Sequence, residues 1–223
     1  MNNKFYLLIL LIIAFVFSCK KETEEPIEMG YEYFPTEIGF YQIYEVDSVV
    51  WDDNNNSMYS FNYFVKLKIV DAFIDNTNNE AYRWRKSVKT DTTNWKFSNN
   101  YTLTKTSSSL ESVIENNRFI NLIFPVRAGG LWDYNAKNNN KAANSIYTDV
   151  AYSETIINNT FDECAKAQYE EEINLIQEFA NYEIFAKNVG MIKRKHIHKE
   201  TKINGVSGYN VEYNIIEYGN ESN

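Results

Sequence analysis

Hydrophobic and polar positions divide the chain into two unlike parts. The first is an unbroken apolar run of eleven residues, Leu7 to Phe17, behind the polar and basic start Met1-Asn-Asn-Lys4 and ahead of Ser18-Cys19-Lys20-Lys21. A run of that length is too short to cross a bilayer as a helix, which takes about 20 residues. A basic start, a short apolar stretch and a small residue before a cysteine instead form a secretion leader. From Gly30 onward the pattern changes to period two. Phe40–Trp51 is β-branched and aromatic and ends in the turn-forming Asp52-Asp-Asn-Asn-Asn56. In Ser60–Val70 the residues Phe61, Tyr63, Val65, Leu67 and Ile69 fall on one face. Asp75-Asn-Thr-Asn-Asn79 turns the chain into a returning strand over Glu80–Lys89.

Further strands are predicted at Trp95–Thr104, Arg118–Phe124, Tyr147–Ile157, Phe161–Tyr169, Glu183–Lys187, Gly190–Thr201 and Tyr209–Tyr218. Two stretches break the pattern. Ser107–Asn117 has serine caps, early acids and Leu110, Val113 and Ile114 at helical spacing, which predicts a short helix or a turn of one. Gln168–Asn181 has helical composition, and its pattern leaves helix and hairpin both open. The expected fold is all-β: a curved antiparallel sheet forming a half-barrel or sandwich, with at most one or two short helices. Its turns are rich in asparagine, which tolerates the left-handed conformation better than other non-glycine residues.

The stretch Val16-Phe17-Ser18-Cys19 resembles a bacterial lipobox. That resemblance implies cleavage before Cys19, lipid on its thiol and new amino terminus, and a membrane partner held through that lipid. The expected organisation is a leader over 1–18, a lipid-anchored tether over 19–29 and one β-rich domain over 30–223. Lys20–Pro26 (KKETEEP) is polar and charged, a composition with nothing to pack. A basic residue followed by acids after the lipidated cysteine also resembles the surface-export signal of Bacteroidota lipoproteins. Expected localisation is therefore the cell envelope, on the outer membrane, facing the periplasm or the surface.

Charge and cysteine count refine this picture. There are 22 Lys and Arg against 30 Asp and Glu, and losing Lys4 with the leader takes the net charge from −8 to −9. An acidic surface repels nucleic acid, so no nucleic-acid partner is expected. Cys19 and Cys164 are the two cysteines. Lipidation of Cys19 leaves Cys164 without a partner in the chain, so Cys164 reads as a small buried apolar residue.

A motif occurs twice, as Phe34-Pro35-x-x-x-Gly39-x4-Tyr44 and Phe124-Pro125-x-x-x-Gly129-x4-Tyr134. Proline sets an extended approach, glycine permits a tight turn, and aromatics begin a strand facing a core. The segments Tyr33–Ser48, Phe124–Asp133 and Tyr182–Ile192 resemble parts of Bacteroidota lipoproteins. The resemblance implies a curved sheet or half-barrel behind a lipid anchor and supplies no catalytic residues.

Candidate chemistry is sparse. His196 and His198 share one face of a predicted strand, with Glu200 on the same face as a third metal ligand; a solvent-facing pair within Lys193–Lys199 is the alternative. The basic run itself reads as an edge or exposed strand whose lysines oppose aggregation. Glu170-Glu171-Glu172 and Asp52-Asp53 read as solvated charges beside turns. The sequence contains no nucleophile elbow, phosphate-binding glycine loop or HExxH motif, so neither a catalytic residue nor a cofactor is assigned. Aromatics make up 16% of residues, and Tyr41, Trp51, Trp84, Trp95 and Trp132 are either core or a sugar- or lipid-binding face. Asp47-Ser48-Val49 and Asp91-Thr92-Thr93 resemble the O-glycosylation acceptor of Bacteroidota. Three functions follow: a non-enzymatic binding or structural lipoprotein whose partner is a glycan, a lipid or an envelope protein; a carrier of lipid or another hydrophobic ligand in a half-barrel cavity; or a hydrolase with an unrecognised site.

Overall fold

The computed structural model describes residues 26–203 and 205–221, so the leader, Cys19 and the chain through Glu25 lie outside the described residues. After a single 3-10 turn at Tyr31–Tyr33 come twelve strands: β1 Phe40–Asp52, β2 Ser57–Ile74, β3 Glu80–Lys89, β4 Lys96–Lys105, β5 Ser109–Ile114, β6 Asn117–Ile123, β7 Leu131–Asp133, β8 Asn144–Ile156, β9 Asn159–Ile173, β10 Gln177–Ala186, β11 Gly190–Lys202 and β12 Gly205–Asn220. They form one antiparallel sheet in the order β6-β5-β4-β3-β2-β1-β12-β11-β10-β9-β8-β7. Its middle is the long ladder of β1 with β12, from Phe40 opposite Asn220 to Trp51 opposite Gly208. Among the described residues no helix is long and apolar enough to cross a membrane.

The sheet curls into a nearly closed barrel, and side chains complete the closure. Edge strand β6 offers backbone groups that a neighbouring strand would ordinarily take, and an unpaired edge invites association with other chains. Trp132 Nε1 donates to Ile120 O at 2.9 Å, and Asn138 Nδ2 donates to Arg118 O at 2.8 Å. The Tyr147 hydroxyl donates to Ile123 O at 2.8 Å and accepts from Ile123 N at 3.0 Å. One backbone bond joins them, Ile120 N to Tyr134 O at 3.0 Å. Aromatic residues thus act as a surrogate strand along β6.

The predicted strands recur, most of them longer, with 80–89 unchanged and 95–104 and 118–124 shifted by one residue, and the two ambiguous stretches resolve as hairpins. Ser107–Asn117 contains strand β5, not a helix: Leu110, Ser112 and Ile114 point inward at period two, and Val113 faces the other way. The deciding residues are Glu115 and Asn116, both in the left-handed region (φ 48° and 65°), which is the geometry of a tight hairpin into β6. Gln168–Asn181 is the β9–β10 hairpin, whose turn is held by Asn174 Oδ1 accepting from the amides of Ile176 and Gln177.

Strand alternation packs the core inside the barrel, with Tyr44, Val46, Val65, Ile69, Tyr147, Ile192 and Ile215 fully buried. The repeated Phe-Pro motif lies at one end. Both Phe34 and Phe124 are buried, and both following glycines take positive φ, 94° at Gly39 and 75° at Gly129. A Cβ at Gly39 would sit 2.5 Å from Glu221 O, so only glycine fits there. Residues 28–35 cross this end like a lid sealed from three sides. Glu28 pairs with Lys187 at 2.5 Å, Val126 N donates to Met29 O at 3.1 Å, and Asn188 N donates to Glu32 O at 2.7 Å. The opposite end carries the turns 53–56, 90–95, 115–116 and 174–176 and has no such cover among the described residues.

The Lys193–Lys199 run is not an edge strand. It belongs to β11, between β10 and β12. Period two splits it: Lys193 and Lys199 face outward, 3.0 Å from Glu212 and 3.8 Å from Glu178, while Arg194 and His196 point in.

Candidate functional site

The barrel interior is not filled. A cavity of about 350 Å³ lies above the crossing segment, with Phe34 and Pro35 as its floor. Its walls are aromatic and aliphatic: Tyr44, Val65, Leu67, Trp84, Tyr101, Leu103, Tyr134, Phe185 and Tyr213 all reach it. Those on strands do so because each occupies an inward position, Tyr134 enters from the turn after β7, and large rings from neighbouring elements meet across the axis. Trp84 stacks on Tyr101 at 6.4 Å and meets Phe34 at 6.0 Å. Toward the open end the lining residues Asn99 and Ile114 are exposed, so the cavity opens there.

An ion pair crosses one wall. Glu183 on β10 is 5% exposed, and its Oε1 accepts from Arg194 Nε at 2.6 Å and from Nη2. The Tyr169 hydroxyl lies 3.0 Å from both Glu183 Oε2 and Asn121 O, and its one proton serves either. Arg194 keeps 39% of its side-chain surface although it points inward, because that surface is cavity wall. It also lies over the Tyr213 ring at 5.5 Å. Burial works against the guanidinium charge, and the Glu183 carboxylate more than offsets this, raising its pKa.

The same surroundings favour the neutral forms of four phenols and of His196. Burial, with the nearby Glu183 carboxylate, raises Tyr134 to about 12. Burial also raises Tyr44, Tyr101 and Tyr169, so these phenols hold their protons and act as donors. His196 is lowered, first by burial and then by Arg194.

Several polar atoms within the wall lack partners. Among the described residues, Trp84 Nε1, Ser112 Oγ and Asn121 Oδ1 are buried without a hydrogen bond, and all three residues line the cavity. Trp84 and Ser112 are each 3% exposed. A buried polar group without a partner costs roughly 1–3 kcal/mol, so the fold carries that cost at three points of this wall.

The residues singled out from sequence are placed as follows. His196 lines the cavity, with Nε2 3.1 Å from the Tyr209 hydroxyl. His198 stacks on Phe179 at 4.0 Å, and Glu200 lies 3.4 Å from Lys202. No three potential metal ligands cluster among the described residues. Of the five aromatics considered as a platform, Trp84 and Trp132 are buried, whereas Tyr41, Trp51 and Trp95 each lie under a lysine at 4.5–5.2 Å. They form no common face. Cys164 is fully buried, and burial pushes its thiol up to about 11. Ser48 sits inside the β1 ladder, and Thr92 lies in the exposed β3–β4 turn.

Tyr169, Glu183, Arg194, Ser112 and Asn121 were not singled out. Charged or amide residues at inward positions between apolar ones, as in Asn181-x-Glu183-x-Phe185, are the signal that marks such a wall.

No protein-family model matches the sequence, and no curated protein matches it. Two crystal structures are similar in fold. One, from Bacteroides fragilis NCTC 9343, is described as an exported protein with a YmcC-like fold; it shares 12% identity over 82% of this chain and 98% of that chain, with a TM-score of 0.46. The other, from Parabacteroides distasonis ATCC 8503, is described as a lipoprotein, with 12% identity over the same shares and a TM-score of 0.41.

Proposed function

We propose that this protein is a lipid-anchored envelope protein that binds a small, mostly apolar guest inside its barrel. The observation that carries the reading is the cavity itself, with its apolar walls and sealed floor. Sites for small molecules are typically concave, mostly apolar and about 300–1,000 Å³, with a few placed polar groups. A guest burying about ten methylenes gains roughly 8 kcal/mol before association costs of about 4 or more. The apolar body alone then supports about millimolar affinity, and bonds made by polar groups of the guest add to it.

Native mass spectrometry tests the reading on the secreted chain from Lys20 onward, which contains all twelve strands. Purified from a bacterial envelope without detergent, it is expected to carry an adduct of small-molecule size. A bare chain after mild purification, with no uptake of added apolar molecules, contradicts a carrier role and favours a structural one.

Cys19 is the proposed anchor, where several acyl chains hold the protein at about 0.8 kcal/mol per buried methylene. Cys19→Ala is expected to release the protein from the membrane fraction; retention would rule the anchor out. The stretch from Cys19 to Glu28 reaches at most about 35 Å. It joins the barrel at its sealed end, which puts the mouth at the end away from the tether.

A further inference from the structure

We infer that the guest carries an oxyanion head, a carboxylate or a phosphate, on its apolar body. The inference rests on the cavity being a binding site and concerns which chemistry it selects. Four lining residues bear ionisable nitrogen or carboxylate: Lys86, Glu183, Arg194 and His196. Glu183 and Arg194 neutralise one another. His196 is held toward its neutral form by burial and by Arg194. Lys86, half-buried in the open half of the β3 wall, has no carboxylate within ion-pair distance among the described residues. The cavity is thus left with one uncompensated positive charge, inside a protein whose net charge is −8.

Uncommitted donors of the wall can add to this charge. The Arg194 guanidinium bonds to Glu183 Oε1 through Nε and Nη2, which leaves Nη1 without an acceptor among the described residues. The Tyr101 and Tyr134 hydroxyls face the cavity with no protein partner among the described residues, and burial keeps both protonated. These hydroxyls can also accept, and amide side chains of Gln42, Asn99 and Asn181 belong to the lining, so the selection comes from charge and not from a count of donors. A guest with a cationic head would meet Lys86 charge against charge. A neutral polyol would leave that charge uncompensated. An oxyanion takes several donors at once and supplies the missing negative charge; charge-assisted bonds of this kind are about twice as strong as neutral ones.

The test uses four probes with one tail and different heads: decanoate, decyl phosphate, decanol and decylamine. Each is titrated calorimetrically, below its micellar concentration, into the chain from Lys20 onward and into its Lys86→Met variant. Methionine keeps the aliphatic stem against Leu67 and Asn99 and removes the charge. One oxyanion or both is expected to bind the wild type about tenfold or more tightly than decanol, with decylamine weakest. Whichever of the two binds more tightly identifies the head. In Lys86→Met the oxyanion advantage is expected to fall several-fold while decanol binds as before. Equal binding of decanol and the oxyanions to the wild type overturns the inference, as does tightest binding of decylamine or an undiminished preference in Lys86→Met; each leaves the cavity reading standing. If no probe binds, the cavity reading itself fails, and the inference with it.

Discussion

The two ends of this barrel are made of similar hairpins and differ in what covers them. At the sealed end, Tyr33 and Phe34 are buried, Gln42 Nε2 bonds to the carbonyls of Val189 and Met191, and Glu221 N donates to Gly39 O. At the open end, Leu175 is 99% exposed and the inward-facing Phe61 and Ile114 are about half exposed. The same apolar residue types appear at both, so composition does not distinguish them. What differs is the Phe-Pro segment laid across one end. Stability is concentrated where that segment crosses, and access is left where it does not.

The largest effect expected from this contrast is at the floor. Phe34→Ala removes a ring packed 5.7 Å from Tyr82 and 6.0 Å from Trp84 and is expected to cost about 3–5 kcal/mol. Urea unfolding reads this as a lower midpoint at unchanged slope. An unchanged midpoint would erase the distinction between the ends.

Next comes the wall between them. Glu183→Gln leaves Arg194 without its counter-charge, which for a fully buried pair costs about 3–5 kcal/mol. Arg194 faces a cavity that water can enter, so about 2 kcal/mol is expected here. The double variant Glu183→Leu with Arg194→Met should recover most of that loss. If the double variant is as unstable as the single one, the cost lies in packing and not in charge.

A smaller effect separates the ends by pH. In the β2–β3 turn at the sealed end, Asp75 Oδ1 accepts from the Thr77 side chain and from the amides of Thr77 and Asn79. The Thr77 hydroxyl bond leads the causes that lower its pKa from 3.8 to about 2. A depressed carboxyl stabilises the fold above its unfolded pKa and ceases to do so as pH falls through the folded value. Wild type should therefore lose roughly 1 kcal/mol from this group between about pH 4 and pH 2, after allowance for solvent screening. Asp75→Asn should flatten that part of the acid limb in a denaturation series. An identical limb in the variant would show that the turn contributes nothing.

The smallest effect is at the open end. Leu175→Ser should change unfolding free energy by no more than about 0.5 kcal/mol, measured in the same urea experiment. A loss several times larger would mean that this turn is covered after all.

Much of the sheet was legible because alternation is strong wherever one face is buried, as in Tyr63 to Ile69. Strand β5 was not. Its Leu110, Val113 and Ile114 fit a helical repeat as well as a strand, and the left-handed pair Glu115-Asn116 decided the matter. The three-residue β7 was missed for a different reason. It pairs with β8 over Leu131 to Asp133 alone, and its position depends on contacts with β6, the opposite edge of the sheet. The cavity was less legible still. Glu183 and Arg194 are eleven residues apart in sequence, and Ser112 and Asn121 lie on strands far from both, so only the closed barrel brings them to one space. His196 was singled out as part of a metal set with His198 and Glu200; the fold places it beside Arg194 and the Tyr209 hydroxyl.

The central claim is that the cavity is entered from the open end, and a cork tests it most directly. Asn99 lines the mouth and is exposed, so Asn99→Trp should obstruct entry at little cost to stability. Met58→Trp, on the exposed outer face of β2, is the control. In titrations of a fluorescent apolar probe into the chain from Lys20 onward, wild type and Met58→Trp should bind it alike, and Asn99→Trp at least about tenfold more weakly at an unchanged melting temperature. Equal binding by all three would place the probe on the outer surface and contradict the account.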